Sequence, residues 1–252
     1  MINITYRKKI RITHVWFCDD KKYIKSNGDI IFLHGYGTKN SDGIVSSQYT
    51  LITNLETAED ELWQGINKNV RYEIRRANKE GIITKQFNGK EILKNKDIIN
   101  KFENIYNQMY LDKGIDSKFN RSLFYEYAKN NSIIVTVAYH DQTPLVFHSY
   151  IMDNENARFF YSTSPFRQDN EQRNLIARMN KLLHWSDLLM FKSGGILKYD
   201  WGGINNPDSP NSIAQFKLKF PGKVVEYYNI QEGRTLLGRI AIKILKYRNK
   251  LV

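Results

Sequence analysis

Residues 133–162 read IIVTVAYHDQTPLVFHSYIMDNENARFFYS. Three β-rich runs, 133–139, 145–152 and 158–162, are separated by short polar turns, the first being His140-Asp141-Gln142-Thr143. Strands joined by turns this short pair antiparallel, so the stretch predicts a meander. Alternation along its second run places Val146, His148 and Tyr150 on one face of the sheet.

Downstream, an amphipathic pattern over 170–192 predicts a long helix stopped by Ser193-Gly194-Gly195. A short strand at 196–200 runs into Trp201-Gly202-Gly203, followed by a helix at 211–217, a strand at 224–228 and a terminal helix from Thr235. Upstream, strands are expected at 30–36 and 44–52, broken by the glycine-bearing turn 37–43. Thr57 is expected to cap a short helix, and Asn67 a second that ends at Gly81. A strand at 82–87 and helices at 97–112 and 121–129 complete the order, with Ile98, Phe102, Ile105 and Met109 on one face of the first of these helices. The 252 residues carry no repeat and no Pro/Ser-rich linker, which predicts a single domain over 1–252 with a β-rich N-terminal portion, 1–56.

Composition narrows the class. At 41% hydrophobic and 25% charged residues the chain is an ordinary globular sequence with ample material for a core. A single cysteine, Cys18, cannot close an internal disulfide, and there is no Cys/His cluster with zinc spacing, so no metal site is expected. No apolar run approaches the roughly 18 residues of a membrane span, and 1–12 lacks a signal-peptide core; a cytoplasmic location is expected. The net charge of +12 favours an anionic partner: nucleic acid, a phosphorylated donor or a membrane surface.

Several short segments carry a sharper signal. They are Leu62-Trp63-Gln64, Val70-Arg71-Tyr72-Glu73-Ile74-Arg75-Arg76-Ala77 with Gly81-Ile82, Leu183-His184-Trp185, Tyr199-Asp200-Trp201-Gly202-Gly203, and Phe216-Lys217-Leu218-Lys219-Phe220 with Gly222. In this order they make the chain resemble the Fem family, the tRNA-dependent peptidyltransferases of peptidoglycan bridges and their GNAT-like relatives in polysaccharide gene clusters. The resemblance implies an α/β (α+β) fold, a GNAT-like mixed and mostly antiparallel sheet flanked by helices. It also implies an N-acyltransferase acting on the amino group of a nucleotide- or lipid-linked sugar precursor of the cell envelope. Two donors stay open: acyl-CoA (or an acyl carrier protein), and aminoacyl-tRNA. The chain is short for the two-lobed Fem enzymes, and Pro221 stands where the family often has glycine.

Lys217 matches the lysine of the family's Phe-Lys motif, which implies that it stabilises the tetrahedral intermediate, with the carbonyl of Phe216 beside the attacking amine. His148 and Asp200 compete as general base: a neutral imidazole has a suitable pKa, and Asp200 precedes a double glycine that lets the chain turn closely around a ligand. Arg71, Arg75 and Lys79 recur every four residues and, widened by Arg76, make a basic helical face suited to phosphates. Tyr161, Tyr199 and Trp201 are candidates to stack on a sugar or nucleobase. The loop 166–173 lacks the glycine-rich turn on which acetyl-CoA enzymes hold pyrophosphate, although Arg167 and Arg173 flank it. Donor or acceptor is expected between the strands at 158–162 and 196–200, which splay apart in the GNAT architecture.

From Arg234 onward there is no acidic residue. Arg239, Lys243, Lys246 and Lys250 share one helical face and Leu236, Leu237, Ile240, Ile244 and Leu251 another, a pattern that suits either docking on the domain or peripheral contact with an anionic membrane. A rival of another class is a non-catalytic nucleic-acid-binding module, which the charge and sixteen tyrosines would serve.

Overall fold

The meander is present, and the computed structural model shows what it is built into. The structure describes residues 1–7, 9–167 and 172–249. They group into two units, one of residues 51–202 and 215–223 and the other of residues 1–50, 203–214 and 224–252.

The larger unit contains β5 (Ile83–Asn88), β6 (Ile133–His140), β7 (Thr143–Met152), β8 (Asn156–Thr163) and β9 (Lys198–Ile204), in the order β9-β8-β7-β6-β5. Each consecutive pair from β5 to β8 is antiparallel, and β8 pairs with β9 in parallel. The sheet is therefore mixed and mostly antiparallel, as expected. Asp141 and Gln142 both take positive φ, 47° and 65°, which gives the two-residue turn the twist that the β6–β7 hairpin needs.

Helices cover both faces of this sheet. Phe147 of β7 packs edge-on against Phe102 of α4 (Lys96–Leu111), while its neighbour His148 points the other way, to Asp187 of α6 (Arg173–Ser193). α6 lies over β6 and β7 with α2 (Lys68–Lys79) along it, and α5 (Arg121–Lys129) and α3 (Gly89–Lys94) pack by β6. The buried face of α4 is Ile98, Ile99, Phe102 and Tyr106, so the apolar stripe is rotated from the expected one. Asn67 caps α2 as expected, accepting from the Asn69 N–H at 3.0 Å. The helix before it, α1 (Glu59–Gly65), starts at Ala58 without a side-chain cap. Thr57 instead offers its carbonyl to Lys192 Nζ at 2.8 Å, which ties α6 to the start of α1. The expected start of α6 at Asn170 lies outside the described residues.

In the other unit, β1 (Ile2–Arg7), β2 (Arg11–Trp16), β3 (Ile30–Tyr36) and β10 (Lys223–Gly233) lie side by side in that order. β1–β2 and β3–β10 are antiparallel and β2–β3 parallel. β4 (Ile44–Asn54) contributes residues to both units. Val15, Ile31, Leu33 and Ile230 form the centre of the smaller core, with Cys18 at its edge. Burial pushes the Cys18 thiol up, which makes it a packing residue and not a nucleophile. α8 (Leu236–Asn249) ends the described chain, so Lys250 and Leu251 of the expected helical faces lie outside it.

Candidate active site

β8 and β9 share a register through Asn156–Lys198, Ala157–Tyr199 and Arg158–Asp200, and it ends there, although β8 continues to Thr163 and β9 runs on through Trp201 and Gly202. At this fork the Arg158 guanidinium ion-pairs with Asp200. Asp200 also accepts the Gly202 N–H at 2.8 Å, closing a tight turn in which Gly202 takes φ 71°. A Cβ on Gly202 would lie 2.9 Å from the Phe159 carbonyl oxygen and 3.7 Å from Lys217 Nζ. Glycine here avoids a clash with that carbonyl, and the lysine head lies at ordinary contact distance.

Lys217 ends α7 (Ser212–Lys217) and is buried, only 8% exposed, with its ammonium 6.0 Å from the centre of the Phe159 ring. Burial, and then the positive charge of Arg158, lower its pKa from 10.5 to about 8, with Asp200 acting the other way. Keeping a cation in this place costs the fold on the order of 3 kcal/mol at neutral pH. A buried lysine with a lowered pKa at a strand fork is a candidate for a functional group.

Behind the fork runs a buried polar seam. His148 Nδ1 is 2.8 Å from Asp187 Oδ2 and its Nε2 2.9 Å from Asn180 Oδ1, so both ring nitrogens are engaged. The Tyr150 hydroxyl donates to the same Asp187 oxygen at 2.5 Å and meets the Tyr199 hydroxyl at 2.8 Å, which in turn lies 3.1 Å from His184 Nδ1. Burial and the Asp187 charge push both tyrosine hydroxyls well up, and burial, followed by the charges of His148 and Lys217, holds the His184 imidazole neutral. Ligand-type atoms of His148, His184 and Asp187 fall within 4.8 Å of one another. They are joined through this hydrogen-bonded seam, which explains their proximity without an ion. Asn180, His184 and Asp187 stand at i, i+4 and i+7 of α6, a polar stripe on its buried side; His184 belongs to the Leu183-His184-Trp185 segment, and helical spacing is the signal for the other two. Arg158, the partner of Asp200, carried no signal in the sequence.

The structure separates the remaining candidates. Tyr199 and Trp201 are fully buried, with Trp201 donating from Nε1 to Thr53 Oγ1 at 2.9 Å, so neither presents a ring face to a ligand. Tyr161 is half-buried against Tyr106 and Phe119. The Phe216 carbonyl accepts the Lys219 N–H at 3.2 Å, while the Phe216 ring lies 5.5 Å from that of His184. Arg71 donates to the carbonyls of Trp63 and Gln64 at the end of α1, at 3.3 and 2.8 Å, and so serves as a helix clamp. The Arg75 guanidinium sits 5.3 Å from the centre of the Trp63 ring. Arg76 shares Glu80 with Arg178, which holds two hydrogen bonds of 2.8 Å to that carboxylate. Arg76, Arg178, Lys181 and Lys219 converge on a cavity of about 460 Å³ whose one acidic lining residue is Glu73. The basic stripe thus divides into a structural member, Arg71, and a cavity-facing one, Arg76. Of loop 166–173, residues 168–171 lie outside the described structure.

The sequence matches no family model and no curated protein. Solved structures are informative. FemX superposes with a TM-score of 0.58 at 14% identity over 76% of this chain, which spans 63% of the length of FemX. The C-terminal domain of a putative lysylphosphatidylglycerol synthetase from Agrobacterium fabrum gives a TM-score of 0.58 at 11% identity, over 96% of this chain and 83% of that domain. L-PGS from Bacillus licheniformis gives 0.53 at 11% identity, over 85% and 71%. Likeness at such identities is likeness of fold: the chain shares the fold of FemX and of these synthetase structures.

Proposed function

We propose that this protein transfers an acyl or aminoacyl group from an activated, phosphate-bearing donor to the amino group of a cell-envelope sugar precursor, nucleotide- or lipid-linked. The observation that carries the reading is Lys217: a buried lysine with a pKa of about 8, seated by a glycine at the fork of two parallel strands. A neutral acceptor amine attacks the donor carbonyl, the C–N bond forms, the ester or thioester bond to the carrier breaks, and the proton lost from the amine nitrogen passes to the departing carrier oxygen or sulfur. The Lys217 ammonium faces the oxyanion as it develops. Asp200, ion-paired with Arg158, orients the turn beside it. His148, sealed between Asp187 and Asn180, is assigned to the scaffold in place of the general base.

Of the two donors, aminoacyl-tRNA has the stronger support. The Fem motifs imply it, and one of the similar folds belongs to a putative lysylphosphatidylglycerol synthetase. The cavity of Arg76, Arg178, Lys181 and Lys219 offers the charge that either a tRNA backbone or the pyrophosphate of an acyl-CoA needs. Purified protein is to be assayed by mass spectrometry with charged tRNA and with acyl-CoAs against a panel of amino sugars. Product with one donor class, lost on Lys217→Ala, is expected. No product with any donor, together with tight and salt-sensitive RNA binding, would replace this reading by the nucleic-acid-binding one.

A further inference from the structure

We infer that α8 and the basic groove beside it form a docking surface for an anionic lipid bilayer. This inference rests on the smaller unit alone and goes beyond the transfer reaction proposed above.

α8 is seated by its backbone. A Cβ on Gly238 would lie 1.8 Å from the Asp29 carbonyl oxygen, so the helix touches the chain just before β3, and Ile242, 5% exposed, is its buried apolar anchor. Thr235 holds the helix start, donating from Oγ1 to Asp29 Oδ1 at 3.0 Å and accepting the Gly238 N–H at 3.2 Å. Five further apolar residues face away from this seat: Leu236 is 76% exposed, Leu237 54%, Ile240 48%, Ile244 56% and Tyr247 68%, while Ala241 and Leu245 are half-buried. At about 100° per residue these five fall on one arc, roughly opposite Ile242. Docking of the helix on its own unit therefore leaves the wider apolar face uncovered.

Charge selects the occupant. Arg239, Lys243 and Lys246 lie on the flank between the seat and the exposed apolar arc, and with Lys21 and Arg234 they line a groove of about 940 Å³. Its acidic members are Asp42 and Glu232. Glu232 is occupied by Lys21 at 2.5 Å and Ser41 at 2.8 Å, and the Lys246 ammonium donates to the Asp42 carbonyl. Among the described residues Arg239 and Lys243 have no acidic partner.

An outward aliphatic face flanked on one side by cations matches a helix lying in the headgroup region, with acyl chains against the leucines and isoleucines and phosphates along the flank. A second copy of this chain would bring two such basic grooves together, and a nucleic acid would leave the aliphatic residues exposed. No helix among the described residues is long and apolar enough to cross a membrane, so the contact is peripheral.

The test is co-sedimentation of the full chain with phosphatidylcholine vesicles, with and without phosphatidylserine, at low and high salt. Binding only to the phosphatidylserine vesicles, weakened by salt, is expected. Leu236→Glu combined with Ile240→Glu removes it by about tenfold or more, and Arg239→Glu combined with Lys243→Glu does the same, while circular dichroism and the melting midpoint stay put, because all four side chains lie on the surface of the fold. Binding that both double variants retain, or equal binding to neutral vesicles, would overturn the inference. So would concentration-dependent dimerisation abolished by the Ile240→Glu pair, or an RNA oligomer bound through Arg239 and Lys243 without vesicle binding.

Discussion

Lys217 and His148 are both buried titratable groups of the larger unit, a few residues from the same strands, and their surroundings could hardly differ more. His148 has a partner on each ring nitrogen, inside a seam where Asp187, Tyr150, Tyr199 and His184 satisfy one another. Lys217 is held by burial and by the charge of Arg158 at a pKa of about 8, a state that disfavours its own cation. A buried polar group inside such a seam strengthens a fold's specificity, whereas a lysine whose pKa burial lowers is a candidate for chemistry. In the sequence, Lys217 was the candidate for charge stabilisation and His148 competed with Asp200 as general base; the partners on both His148 ring nitrogens set it apart from Lys217.

The sharpest break of this comparison is Lys217→Ala. Turnover is expected to fall by at least about tenfold and, if the ammonium is a main oxyanion donor, by up to about 10³-fold, with KM little changed. Lys217→Met, similar in volume and uncharged, should lose activity likewise yet unfold at a higher temperature, by on the order of 2 kcal/mol in stability at pH 7. The gain should vanish on raising the pH through 8 toward 10.5, because there the native lysine sheds the proton that the unfolded chain still binds. An unchanged kcat would remove Lys217 from the mechanism.

Asp187→Ala tests the other half. It leaves His148 and Tyr150 unsatisfied in the interior and should cost about 3 kcal/mol in urea unfolding, while the folded fraction keeps its activity within a few fold. A large loss of kcat in fully folded protein would return the seam to the catalytic machinery.

The pH profile gives a smaller, signed effect. Lys217 is charged below about 8, so turnover that depends on its charge declines by about tenfold per unit above that value. A rise through pH 8 would mark it as a base instead. Last, Gly202→Ala should cost about 1–2 kcal/mol through its positive φ, and more through the contact with the Phe159 carbonyl, and should perturb kcat by shifting the turn that holds Asp200. Retained stability and activity would show that the turn is more permissive than its geometry.

Local chemistry made much of this protein legible. Alternation and the turn at Asp141-Gln142 located the meander, and Asn67 marked the start of α2. Those signals survive folding because period and capping are properties of neighbouring residues. No strand was expected before Ile30: β1 lies within the basic start itself, and β2 is fixed by pairing with β1 on one side and β3 on the other.

Tertiary structure alone decided what each polar residue is for. Asp200 meets Arg158 across the register of β8 and β9, and Asn180 and Asp187 meet His148 across α6 and β7, pairings separated by 42, 32 and 39 residues. Periodicity likewise told that α8 has an apolar face, and only packing showed that Gly238 and Ile242 seat the helix while Leu236, Ile240 and Ile244 stay outside. The physical reason is common to both cases: spacing along the chain fixes which side chains share a face, but burial, pKa and partnership depend on what another part of the chain places opposite that face.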